Sequence, residues 1–493
     1  MPERRILPGV RVAVRPLGTD ARRPVGPLPP SLARVLATTL ATALSACSSL
    51  IPPYQRPAAP VPAVYAPQAA GVPVGEPAAD IEWQRFFGDD RLKRLIALAL
   101  ENNRDLRIAV LNIEQTRALY DVRRADRLPS VGAGVTASRQ PSATGRLGNA
   151  YAVGLAVTGY ELDLFGRVHD LGEAALSQYL ASAETRKAVQ ISLVAAVATT
   201  YLALAADDEL LRVTLQTLGT REESTRLTKL RFDNGASSAL DYRQAQSLLE
   251  GARVTLAQAR RQRALDENAL TLLIGQAPPA DLAPPLPLEA QRLAADLPAG
   301  LPSDLLERRP DIRAAEQQLI GANANIGAAR AAFFPRITLT ATLGTASSEL
   351  SGLFKSGSFA LTGTGQLLQP IFDAGRNRAN LAVARVNREI AVAQYEKSIQ
   401  TAFREVSDAL AGRATLDEQL RAQTALTEAL ADTYRLADLR YKAGAASYLE
   451  ALDAQRALFA AQQALIQIRA AQLQNTVQLY RALGGGWKEA PPG

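Results

Sequence analysis

Glu450 and Asp453 stand three residues apart just past a lone glycine, in the stretch LRYKAGAASYLEALDAQ that runs from 439 to 455. On a helix this spacing puts both carboxylates, with Leu449, on one face. Acids so placed have two uses. As first-turn residues they stabilise a helix N-terminus through its dipole; gathered around a symmetry axis they repel one another, raise some of their own pKa values and attract cations. A sister stretch, LRFDNGASSALDYRQAQ from 230 to 246, has Gly235 where the first has Gly444 and keeps an acid at Asp241, but carries Gln244 in the place of Asp453. The other reactive side chains are too few for catalysis. His169 is the sole histidine, Cys47 the sole cysteine and Met1 the sole methionine, so no His/Cys metal cluster can form. Only around His169, beside Asp170, would a nucleophile find a histidine base, and GTGQLLQ (363–369) lacks the lysine of a phosphate-binding loop.

The elements that must carry the acids follow from an internal repeat. ALENNRDLRIAV and LLERRPDIRAAE match at an offset of 206, pairing Leu100, Glu101, Asp105 and Arg107 with Leu306, Glu307, Asp311 and Arg313. Further on the offset is 209 and pairs Gly166 with Gly375, Gly235 with Gly444 and Gly275 with Gly484. The change is expected in a loop between Pro129 and Gly166. Proline is absent from 142 to 277 and from 371 to 490, which predicts helices from Gly166 to Asn234 and from Gly375 to Ala443, each about 100 Å long at 1.5 Å per residue. Partner helices follow from about 238 to 274 and 447 to 482, with Gly235 and Gly444 marking the turns between antiparallel mates. Helices this long pack along their length as coiled coils.

Between the short and long helices lie four alternating stretches: VGAGVTAS from Val131, YAVGLAVTGY from Tyr151, ITLTATLG from Ile337 and FALTGTGQL from Phe359. One face is apolar and the other is Gly, Thr and Ser. That is the pattern of membrane barrel strands with lipid outside and water inside, or of a small soluble sheet lying on the helices. Four strands leave open edges, which lipid forbids, so the barrel reading requires several subunits to close it.

The net charge of +7 suggests a nucleic-acid binder only until its distribution is read: residues 1–46 hold seven arginines against Glu3 and Asp20, which leaves about +2 elsewhere. Within that leader, VLATTLATALSA (35–46) has the length of a signal-peptide core and is too short to span a membrane. LSAC (44–47) resembles a bacterial lipobox, in which the Cys47 thiol is acylated and becomes the first mature residue, and Ser48 follows where Asp would mark inner-membrane retention. The division expected is a signal peptide at 1–46, an anchor with a Pro-rich extended tether at 47–81, repeats at 82–277 and 304–486, a linker at 278–303 and a tail at 487–493.

With WQRFFGDDRLKRLIALALENN (83–103), YELDLFGRV (160–168), RRPDIRAAEQQL (308–319), AARAAFFPRITL (328–339), QPIFDAGRNRANL (369–381) and LYRALGGGW (479–487) in this order, the chain resembles the TolC-like outer-membrane factors of tripartite efflux pumps, in the lipoprotein subgroup of OprM and NodT type. The resemblance implies a mainly α homotrimer, with four strands per subunit in a shared twelve-stranded barrel and long helices forming a hollow periplasmic α-barrel. It implies passive conduction without cofactor beyond the lipid on Cys47, and as partners outer-membrane lipid, a periplasmic adaptor, and an inner-membrane resistance-nodulation-division transporter. Carried onto matching positions, Glu450 and Asp453 become acids of a periplasmic mouth, Leu449 an apolar constriction residue, and Tyr441 and Asp241 partners in a latch between neighbouring helical pairs. Gly235 and Gly444 become helical tips where an adaptor docks. One departure stands out: Ala446 occupies the place of an arginine in the latch of TolC. A protein-secretion channel and a lipid-anchored structural coiled coil remain the alternatives.

Overall fold

A computed structural model describes residues 49–65, 76–141, 145, 147–294, 297–298 and 303–488; the leader and Cys47 lie outside the described residues. Each repeat builds the same series. In the first, α1 (Trp83–Phe86), α2 (Asp90–Asn102) and α3 (Arg104–Ala125) lead to β1 (Val131–Pro141) and β2 (Leu147–Leu162), then to α4 (Arg167–Asp233) and α5 (Ala239–Ile274). In the second, α6 (Asp304–Arg308) and α7 (Pro310–Ala331) lead to β3 (Arg336–Ser347) and β4 (Phe359–Leu368), then to α8 (Arg376–Lys442) and α9 (Tyr448–Ala482). The helices expected within the proline-free spans are present, α4 and α8 having 67 residues each. Gly235 and Gly444 stop them in the left-handed conformation, both at φ 73°, where a side chain would be strained.

The strands form one antiparallel sheet in the order β1-β2-β3-β4, so the two hairpins are joined by the pairing of β2 with β3 across the repeats. Register sorts the faces. Ala133, Leu155, Leu343 and Leu361 make one row across all four strands, and the next position holds Gly134, Gly154, Gly344 and Ala360 on the opposite face. At that second row the backbones approach so closely that a Cβ on Gly154 or Gly344 would overlap the neighbouring strand. The apolar row has nothing over it: Leu155, Leu343 and Leu361 are 49%, 44% and 71% exposed. Outer edges of β1 and β4 have no strand partner among the described residues.

The core sits midway along the long helices. Leu193 to Ala205 of α4, Tyr395 to Ala409 of α8 and Phe459 to Leu483 around α9 enclose Phe86, Phe87, Leu92 and Ile96. Phe86 stacks on Tyr480 at 3.9 Å between centroids. The linker joins this belt, with Leu288 and Leu297 buried and Gln291 donating to Asp89. One window of α4 is apolar enough to cross a membrane by length and composition, yet 56% of it is buried inside the protein.

The sequence reads the segment after Cys47 as an extended tether, and for residues 49–65 the structure adds what holds it. They are extended but docked. Arg330 donates to Leu50 O, Asn323 to Pro52 O, and both Tyr54 and Arg56 donate to Glu316. Glu316, Asn323 and Arg330 stand seven residues apart, hence on one stripe of α7. Their number falls as the segment's rises, so the two run antiparallel. The lengths agree: fourteen helical residues and six extended ones each span about 20 Å. Prolines forced the extension; the polar stripe on α7 supplies the binding surface.

Candidate functional site

The expected site residues gather where α4 turns into α5 and α8 into α9, at the end of the long helices away from the sheet. Ala245 and Leu248 from α5 pack with Tyr448 and Leu452 from α9, and Tyr441 of α8 leans on them. The two tips are thereby joined by a small apolar cluster remote from the main core.

The tips are capped differently. In the first, Ser238 Oγ accepts from Asp241 N at 3.1 Å while Asp241 Oδ2 accepts from Ser238 N at 3.1 Å, a reciprocal capping box. Hydrogen bonds from the Ser238 hydroxyl and backbone, with Ser237, outweigh partial burial and hold the Asp241 carboxyl below the usual carboxylate range. In the second, Ser447 Oγ accepts from Glu450 N, but the Glu450 carboxylate turns away and accepts from Arg440 Nη1 at 2.8 Å. Asp453 accepts from Arg456 at 3.4 Å. Within the chain each of these acids therefore faces an arginine. Leu449, between them and the tip, is 47% exposed.

Tyr441 and Asp241, expected as latch partners, share no hydrogen bond, because Asp241 is committed to its own cap. The Tyr441 hydroxyl instead accepts from Arg231 Nη1 at 2.6 Å, and the guanidinium lies 5.0 Å from the ring centroid. Burial keeps the Tyr441 pKa above the usual tyrosine range, with Arg231 opposing it, so the hydroxyl stays neutral and able to accept. Ser224 and Tyr448 add a second tie of 2.9 Å between the hairpins. Sequence reasoning missed Arg231. A signal was present, since the 209 offset pairs it with Arg440 in LRF and LRY, but two arginines at one repeat position take different partners: one crosses to the other hairpin and one turns to its own. Ala446 takes no part in this tie. A second missed residue, Arg221, is buried, donates to Leu248 O at 3.0 Å and lies over Phe459 at 5.2 Å, joining α4, α5 and α9.

Higher on the first hairpin, Asp207 is 8% exposed with its Oδ2 unpartnered. Burial first, then a shared hydrogen bond and like charge from Asp266, raise its pKa to about 7. The nearby cation opposes this only weakly, for Arg263 is held by Asp208 at 2.6 Å and Glu267 at 2.9 Å. A carboxyl raised in the fold keeps its proton longer than in the unfolded chain, so its contribution to stability is full below about pH 4 and is lost as pH rises through 7. We expect Asp207→Asn to raise stability at pH 8 by on the order of 1–2 kcal/mol, given one proton shared by the pair, and to change little at pH 4. Melting followed by helical circular dichroism at both pH values checks this; equal shifts at both would contradict it.

Comparison with known proteins places this geometry. The profile of the family described as Outer membrane efflux protein matches residues 95–276 and 301–485. The chain is 51% identical over 460 residues to the probable efflux pump outer membrane protein TtgC of Pseudomonas putida, covering 90% of this chain and 94% of that one. It is 46% identical over 462 residues to the outer membrane protein OprJ of Pseudomonas aeruginosa, covering 92% and 96%. Among solved structures it is similar to the open state of the Neisseria gonorrhoeae MtrE outer membrane channel, with a TM-score of 0.82 and 40% identity over 90% of this chain and 99% of that one.

Proposed function

The chain belongs to the outer membrane efflux protein family, and from that premise we propose that it is the outer-membrane channel of a tripartite efflux pump, conducting cargo outward without chemical change. The observation that carries this reading is the sheet, whose exposed apolar row and small-residue row lie on opposite faces between two unpaired edges. In lipid such edges must be paired. Three copies, with β4 of one subunit beside β1 of the next, make a closed barrel of twelve strands from three four-stranded sheets. Its Leu row contacts outer-membrane lipid and its Gly/Thr face lines water.

The long hairpins carry the conduit away from the membrane, so the Gly235 and Gly444 tips face the periplasm and seat an adaptor, which links them to an inner-membrane resistance-nodulation-division transporter. Leu449, Glu450 and Asp453 encircle the resting mouth, and the tie between Arg231 and Tyr441 holds it closed. Cys47 carries the lipid; Ser49, two residues on, lies against the first turn of α4 beside the base of the sheet, which supports an anchor at membrane level. Relatives are named for toluene and antibiotic efflux. The lumen rows of Gly, Ala and Thr offer no shaped recess, so cargo choice rests with the transporter. Purified protein is expected to migrate as a trimer and to insert into planar bilayers as discrete conducting steps; a monomer that conducts nothing would overturn the channel reading.

A further inference from the structure

The docked segment begins with a bond that neither conduction nor the helical gate uses. Asp170, in the first turn of α4, is fully buried, and its Oδ1 accepts from Ser49 Oγ at 2.6 Å. Ser49 Oγ in turn accepts from Ile51 N at 3.2 Å, and His169 Nδ1 lies 3.1 Å from the same carboxylate oxygen. Oδ2 has no hydrogen-bond partner among the described residues; it faces Gly327 in α7, where a Cβ would overlap both it and Ile51. A buried carboxylate half satisfied in this way is costly, and it stands where the strap, α4 and α7 meet.

We propose that Asp170 is the positioning residue of the membrane anchor: by holding Ser49 in this three-way notch it fixes the end of the strap, two residues after Cys47, beside the first turn of α4. The proposal rests on the lipid-anchor reading of Cys47. Its force comes from length. Two residues reach at most about 7 Å, so mooring Ser49 leaves the anchored cysteine only that much free chain, whereas undocking residues 49–65 would lengthen it to about 60 Å. The Glu316–Asn323–Arg330 stripe sets the direction of the strap and Asp170 sets its end point.

Hydrogen exchange of the full-length protein in lipid nanodiscs, with intact mass read on the same sample, tests this. Asp170→Asn and Ser49→Ala are each expected to speed exchange of the amides in 50–56 at least tenfold, while Ser49→Thr, which keeps the hydroxyl, preserves protection. Ser49→Ala leaves α4 untouched, so it remains informative should the Asp170 variant fold poorly. Unchanged exchange in Ser49→Ala with the lipid mass present on Cys47 would overturn the mooring alone. Absence of the lipid mass would overturn the anchor reading, and with it the purpose assigned to Asp170.

Discussion

Replacing Arg231 by alanine is expected to raise the open fraction of reconstituted channels about tenfold, with Arg231→Lys giving a smaller rise. The guanidinium supplies a charged tie between the two hairpins at the tip, through its 2.6 Å bond to the Tyr441 hydroxyl and its place over that ring. A hydrogen bond to a charged group is worth about 1.5–3 kcal/mol, but this one is solvent-exposed, so a loss of about 1.4 kcal/mol is the sensible scale, and that is tenfold in population. Lysine keeps the charge and loses the planar fork that both bonds and stacks. What remains after removal is the small cluster of Ala245, Leu248, Tyr448 and Leu452 and the Ser224–Tyr448 bond. Open probability in planar bilayers measures the effect. If Arg231→Ala gates like the parent, the tie does not hold the mouth shut.

Removing both mouth acids, Glu450→Ala with Asp453→Ala, is expected to raise single-channel conductance and to swing ion preference from cations toward anions. The second half follows from the ion pairs at the proposed mouth. Because Glu450 is bound by Arg440 and Asp453 by Arg456, deleting the acids leaves two uncompensated arginines in each subunit, and a ring of like charge sets which ion a narrow pore favours. Reversal potential across a salt gradient reads the preference, and the shift should shrink as salt screens the ring. A reversal potential and conductance both unchanged would show that these residues are ordinary first-turn acids. Both substitutions spare the Ser447 cap and the apolar cluster, so the helix start is retained.

Much of this architecture was written into local pattern. The absence of proline pointed to long helices, and the glycines of the repeat placed their ends to within a residue or two and marked both tips, because glycine readily accepts the backbone that such a stop requires. Alternation placed all four strands, and the lack of enough strands to close a barrel already implied more than one subunit. The division of the tip into two unlike halves also showed, as Gln244 against Asp453.

What the pattern did not carry was partnership. Arg231 and Tyr441 are 210 residues apart, and whether they meet depends on how two helices of 67 residues are rotated about their axes. Arg231 and Arg440 have the same local sequence and opposite fates for that reason. The strap is a parallel case: proline made residues 49–65 extended, but their docking depends on a stripe of α7 far along the chain and on a notch that Gly327 leaves for Asp170. Sequence periodicity determines which backbone a segment adopts and which of its faces is apolar, since both are set by neighbours a few residues away. Side-chain pairing is set by distances of a few ångströms between segments that only the packed helices bring together, and the tertiary structure alone decided it.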